Sequence, residues 1–105
     1  MVNNVFSELA DASEQEQFTE LLNKPGVRIE RIVSQGQCSA ADDWYDQDEH
    51  EWVLLLQGAA ELMLADGSVL RLTTGDHVCL PAHEKHRVHW TDPVQVTIWL
   101  AVFYR

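Results

Sequence analysis

The sequence predicts an all-β fold with a single short helix at its N-terminus. Three observations carry that prediction. From Val27 onward, turn residues recur about every 8–12 positions, the spacing of a sandwich or barrel. Asp66-Gly67 sits between the apolar segments Leu62-Met63-Leu64 and Val69-Leu70, and this two-residue loop suits a type I′ hairpin. The closing segment, from Val94 to Phe103, is rich in β-branched and aromatic residues.

Each element follows in chain order. Ser13 and Glu16 have the spacing of a capping box, and Phe18, Leu21 and Leu22 recur behind them at helical intervals. Asn23-Lys24-Pro25-Gly26 stops that pattern. The expectation is a helix over about Glu14 to Leu22, in an N-terminal arm of residues 1–26 that lays its apolar stripe on a barrel of residues 27–105. Trp52 to Leu56 is an unbroken apolar run, as in a strand covered on both faces. In the last strand, Val94, Val96, Ile98, Leu100 and Val102 share one face. The other face begins polar at Gln95 and Thr97 and becomes apolar at Trp99, Ala101 and Phe103, a patch that requires a cover. A second copy of the chain, giving a homodimer, is one expected cover, and the N-terminal helix is the other.

Composition narrows the function. The chain has 105 residues, 46% of them hydrophobic, which suffices for one domain with a packed core. Its formal net charge of −10 argues against nucleic acid and against anionic membrane surfaces, both of which need clustered Lys and Arg. No apolar run reaches the roughly 18–20 residues of a membrane span, and no signal peptide is apparent at the N-terminus. The two cysteines, Cys38 and Cys79, are far apart and outside any metal-type spacing. A cytoplasmic chain with reduced thiols is the expectation.

The chemistry-bearing residues cluster in two motifs. Gly75-Asp76-His77-Val78-Cys79-Leu80-Pro81-Ala82-His83-Glu84-Lys85-His86 runs from a glycine turn through a short strand to a proline, a tight turn and a histidine. It resembles the second cupin motif through Gly75, Pro81 and His86, with His83 standing where that motif has glycine. Glu51 to Gly58 resembles the end of the first cupin motif, where a glutamate precedes a glycine turn by seven positions. Trp44-Tyr45-Asp46-Gln47-Asp48 with Glu51-Trp52-Val53 is similar to a group of small single-domain cupins without defined activity.

The resemblance implies a double-stranded β-helix, or jelly roll, with Glu51 and His86 directed into one cavity. It also implies a divalent metal such as zinc, iron, manganese or nickel. The usual His-x-His pair before the glutamate is missing, however. A three-residue gap gives Tyr45 and Gln47, and a four-residue gap gives Trp44 and Asp46. The candidate ligands are therefore Glu51 and His86 with Gln47 or Asp46 completing the shell. A metal on so few strong donors is expected to be weakly held or absent as purified. His86 and Tyr45 are the candidate catalytic groups, acting on a small organic molecule. The reaction classes that the resemblance brings are isomerase, lyase and oxygenase. A metal-free binding or sensing module, and a metal-free acid/base pair of His86 and Glu51, are the competing readings.

The remaining polar residues have plainer explanations. His50 and His89 should point away from the cavity by strand alternation, and His83 lies in the turn. His77 and Cys79 should line the side opposite Val78 and Leu80. Asp42, Asp43, Asp46, Asp48 and Glu49 lack the ligand order of a calcium loop and read as a solvated acidic loop.

Overall fold

A computed structural model describes all residues 1–105. Eight strands follow one another: β1 (Gln17–Lys24), β2 (Val27–Ser34), β3 (His50–Gln57), β4 (Ala59–Leu64), β5 (Val69–Thr73), β6 (His77–Leu80), β7 (His86–Thr91) and β8 (Thr97–Tyr104). They form a five-stranded sheet in the order β1-β2-β8-β3-β6 and a three-stranded sheet in the order β5-β4-β7. All pairs are antiparallel. No helix is long and apolar enough to cross a membrane.

The expected N-terminal helix is absent, and β1 occupies most of its span. Two features explain the false helical period. Pro25-Gly26, with Gly26 at φ 81°, joins β1 to β2 in the Pro-Gly order of a type II turn. Between Glu20 and Leu22 the register slips, so Leu21 is an extra residue in a bulge. Phe18 pairs with Ile32 and Leu22 pairs with Ile29, so the two apolar residues face opposite sides of the sheet. Their spacing mimics a helix because the bulge resets the strand alternation. The capping-box reading fails with it, and Glu16 turns to Ser34 instead.

The core lies between the sheets. Val53 and Leu55 of β3, Leu62 of β4, Leu80 of β6, and Trp99, Ala101 and Phe103 of β8 are all buried in one cluster. The expected patch at Trp99, Ala101 and Phe103 is therefore the interior wall of the barrel, and it needs no second copy and no helix to cover it. The outward residues Leu100 and Val102 are half-buried. Val94, expected within the strand, precedes it and is exposed. The apolar run of β3 alternates likewise: Val53 and Leu55 are buried, while Trp52, Leu54 and Leu56 on the outer face are half-buried.

The N-terminal segment packs against the outer face of β2. The buried Arg31 guanidinium donates to the carbonyls of Val5, Ser7 and Glu8 at 3.1, 2.8 and 3.3 Å. Further along, the Ala12 amide donates to Gln35 at 2.8 Å, and Ala12 is fully buried. Three satisfied carbonyls explain how an arginine is tolerated at 6% exposure.

Candidate functional site

The inward residues of the large sheet stand in rows set by the register. Arg28, Phe103, Glu51 and Leu80 are successive partners across β2, β8, β3 and β6. Glu30, Ala101 and Val53 form the next row, and Ile32, Trp99 and Leu55 the one after. From the small sheet, Leu62, His86 and Val88 face them. All of these except Ala101 and Leu55 line a cavity of about 230 Å³.

The acidic loop supplies the remaining wall. Residues 39–47 lie along the free edge of β7. The Ser39 amide donates to the Val88 carbonyl at 2.8 Å, Tyr45 and His86 exchange backbone bonds at 2.8 and 3.2 Å, and the His83 amide donates to the Gln47 carbonyl at 2.8 Å. A segment bridged in this way alternates like a strand. Tyr45 and Gln47 therefore line the cavity and Asp46 does not. Asp46 instead pairs with His83 Nδ1 at 2.9 Å, with both side chains substantially exposed. This corrects the candidacy of Asp46 as a ligand, and His83 stays in its turn outside the cavity.

Glu51 and His86 meet inside. Their residues are 8% and 4% exposed, and His86 Nε2 lies 3.3 Å from Glu51 Oε1. His86 Nδ1 is 3.0 Å from the Glu84 carbonyl oxygen, which can only accept, so that nitrogen carries a hydrogen. Its tautomer is thereby fixed, and Nε2 is the nitrogen turned to the carboxylate. A proton on Nε2 faces the carboxylate and is favoured by it. Gln47 Nε2 donates to the same Oε1 at 2.9 Å. Tyr45 stacks on the imidazole with ring centroids 5.4 Å apart.

The surroundings set the charges. Burial works hardest on His86 and disfavours its cation. The hydrogen bonds to Glu51 and to the Glu84 carbonyl, with the charges of both carboxylates, outweigh it and raise the pKa above the usual 6.5. Burial raises the Tyr45 phenol above 10.0, assisted by the negative charges of Glu16, Asp43 and Glu51.

The other histidines stay outside. His50 accepts the Ala82 amide through Nδ1 at 3.0 Å and packs on Tyr104, and His77 packs on Trp52. In β7, the register slips between Glu61 and Leu62 of β4. Val88 keeps the inward face of His86, but the slip breaks the alternation that would place Trp90 there next, and the buried Thr91 takes that face instead. Trp90 instead lies under the Arg71 guanidinium at 4.8 Å.

The donor set does not fit a tight resident metal. No group of three or more His, Cys, Asp or Glu side chains converges anywhere in the chain. Glu51 and His86 face each other at 3.3 Å as the two strong donors, and Gln47 directs its N–H to Glu51, where a metal ligand would offer oxygen.

A barrel of two antiparallel sheets around a His/Glu pocket is the architecture of a cupin, and comparison with known proteins agrees. The chain belongs to the cupin domain family, whose model matches residues 30–103. A Ralstonia eutropha JMP134 protein, described provisionally as a mannose-6-phosphate isomerase, is similar at 38% identity. That match covers 99% of this chain and 97% of the other, with a TM-score of 0.93. Two further structures share the fold. A cupin superfamily protein from Desulfitobacterium hafniense DCB-2 is 18% identical over 91% of this chain and 83% of its own, with a TM-score of 0.76. A conserved double-stranded β-helix protein from Klebsiella pneumoniae subsp. pneumoniae MGH 78578 is 16% identical over 98% and 88%, with a TM-score of 0.81. No curated protein matches the chain in sequence.

Sequence reading missed three polar cavity groups. Glu16, Arg28 and Glu30 all line the cavity. None belongs to a cupin motif, and only the pairing of β1 with β2 and of β2 with β8 brings them in.

Proposed function

We propose that this cupin binds a small organic molecule in the barrel cavity and moves a proton on it through the His86–Glu51 pair, in an isomerase-type reaction. The observation that carries the reading is the pairing of His86 Nε2 with Glu51 Oε1 at 3.3 Å inside a largely apolar cavity. Such a pair can take a proton from one substrate atom and return it to the next without any change in oxidation state. His86 exchanges the proton, Glu51 stabilises the imidazolium, and Gln47 fixes the carboxylate. Tyr45 covers the imidazole and offers a second O–H at the cavity wall. The isomerase description of the Ralstonia protein supports the same class of chemistry.

The test is deuterium wash-in. Chelator-treated protein is incubated in D2O with a panel of small sugars and hydroxyketones, and exchange beside the carbonyl is read by NMR. Exchange by the wild type that falls by about 10²-fold or more in His86→Gln supports the reading. Exchange that needs added metal, or that survives the substitution, overturns it. A compound that shifts the Trp99 indole signal without exchanging would reduce the function to binding alone, which the apolar wall also supports.

A further inference from the structure

We infer that the cavity selects small cationic ligands, and that Glu16 is the carboxylate that receives their charge. The inference rests on the reading of the cavity as a small-molecule site and adds the class of molecule.

The cavity wall contains three carboxylates, Glu16, Glu30 and Glu51. Two of them have positive partners in the protein. Glu51 faces His86, and Glu30 lies 3.6 Å from Arg28, which also meets Glu49 at 3.4 Å. Glu16 takes part in no ion pair. Its side-chain hydrogen bond is to a neutral group: it accepts the hydroxyl hydrogen of the fully buried Ser34. The Trp99 indole N–H in turn donates to Ser34 Oγ at 3.1 Å, so a chain of two hydrogen bonds from the core holds the carboxylate in place. One oxygen is thus anchored, and the charge is left for something else.

The remainder of the wall suits the same occupant. Arg28 is the only Lys or Arg among the lining residues, and two carboxylates already share it. An entering phosphate or carboxylate would meet an acidic cavity with no free cation to bind it. Phe18, Tyr45, Trp99 and Phe103 line the same space. The chain itself displays the matching recognition mode, because the Arg28 guanidinium lies 4.2 Å over the Phe103 ring between two glutamates. The formal net charge of −10 draws cations toward the cavity from a distance. Glu16 also lies near enough to Tyr45 for its charge to act on the phenol, which places it beside the catalytic end of the cavity.

Two charge-matched series test this. One is benzylamine, benzyl alcohol and benzoate, and the other is mannosamine, mannose and mannose 6-phosphate. Affinities at pH 7 are read from the Trp99 indole signal in the full chain. The expected order in at least one series is cation, then neutral, then anion, with about tenfold or more between the first and last. Glu16→Gln keeps an acceptor for Ser34 and should erase that preference while the neutral member binds as before. Glu14→Gln, the same charge change at an exposed site, should leave the preference intact. Equal or tighter binding of benzoate or mannose 6-phosphate overturns the inference and leaves the cavity reading standing. A preference that survives Glu16→Gln overturns the role of Glu16. If no member of either series binds, both the inference and the cavity reading fall.

Discussion

The pairing of His86 with Glu51 gives the protein a pH-dependent stability whose sign follows from the direction of the shift. A histidine whose folded pKa is raised binds its proton more tightly in the native state. The stabilisation is therefore full below the unfolded value near 6.5 and is lost as pH rises through the higher folded value. Thermal melts of the wild type should show this loss on the alkaline side, and Glu51→Gln should flatten it; a melt with no such slope would contradict the raised His86 pKa. Two further residues report on packing. Leu55 is fully buried in the core, so Leu55→Ala should cost about 2–5 kcal/mol in chemical denaturation. Gly58 sits at φ 99°, and a Cβ there would come within 2.7 Å of the Thr97 backbone. Gly58→Ala should therefore cost about 2 kcal/mol or more, and a neutral result would show that the β3–β4 turn can shift. At this scale the sequence was legible where a motif fixes spacing, at Glu51, Gly58, Gly75 and His86. It was not legible at Glu16, because the reason for that carboxylate is a hydroxyl eighteen residues away in the chain.

Among the elements, strands β3 to β8 could be read from turn residues and alternation, because hairpin geometry is local. Two bulges hid the rest. The one in β1 turned a strand into an apparent helix, and the one opposite β4 exchanged Trp90 for Thr91 on the inner face of β7. A bulge has no sequence marker when the extra residue is Leu21 or His89 rather than glycine. The choice between Tyr45/Gln47 and Trp44/Asp46 was equally closed to sequence, since it depends on the bridge from Tyr45 to His86. The N-terminal segment yields a prediction of its own. Arg31 holds three of its carbonyls, so Arg31→Ala should release residues 5–8 to limited proteolysis and cost about 1.5–3 kcal/mol. Unchanged protection would show that Ala12 and Gln35 suffice to hold the segment.

For the whole molecule, metal content is the discriminating measurement. Protein purified without a histidine tag or added metal should carry well under one equivalent of zinc, iron, manganese or nickel, because only Glu51 and His86 act as strong donors in the cavity. A full equivalent that survives dialysis against chelator would refute this. Assembly is a separate question now that Trp99 and Phe103 lie inside the barrel. The apolar surface still open to a second copy is the outer face of the large sheet, where Ile29, Trp52, Leu54, Leu100 and Val102 are half-buried. A homodimer through that face predicts that Trp52→Glu yields a monomer by sedimentation at micromolar concentration, and a monomeric wild type would end the expectation. The position of β1 bears on how such a protein can change over generations. It is an edge strand, bonded to β2 alone, yet it contributes Phe18 to the cavity and its lead-in residue contributes Glu16. Of the proton-moving pair, Glu51 stands on the interior strand β3 and His86 on β7, whose free edge is bridged by residues 39–47, whereas the charge-selecting residue stands at the start of the outer ribbon. Substitutions in this outer ribbon can alter which molecules enter while leaving the buried core and the acid/base groups untouched, so descendants of this chain can exchange ligands without first losing their fold.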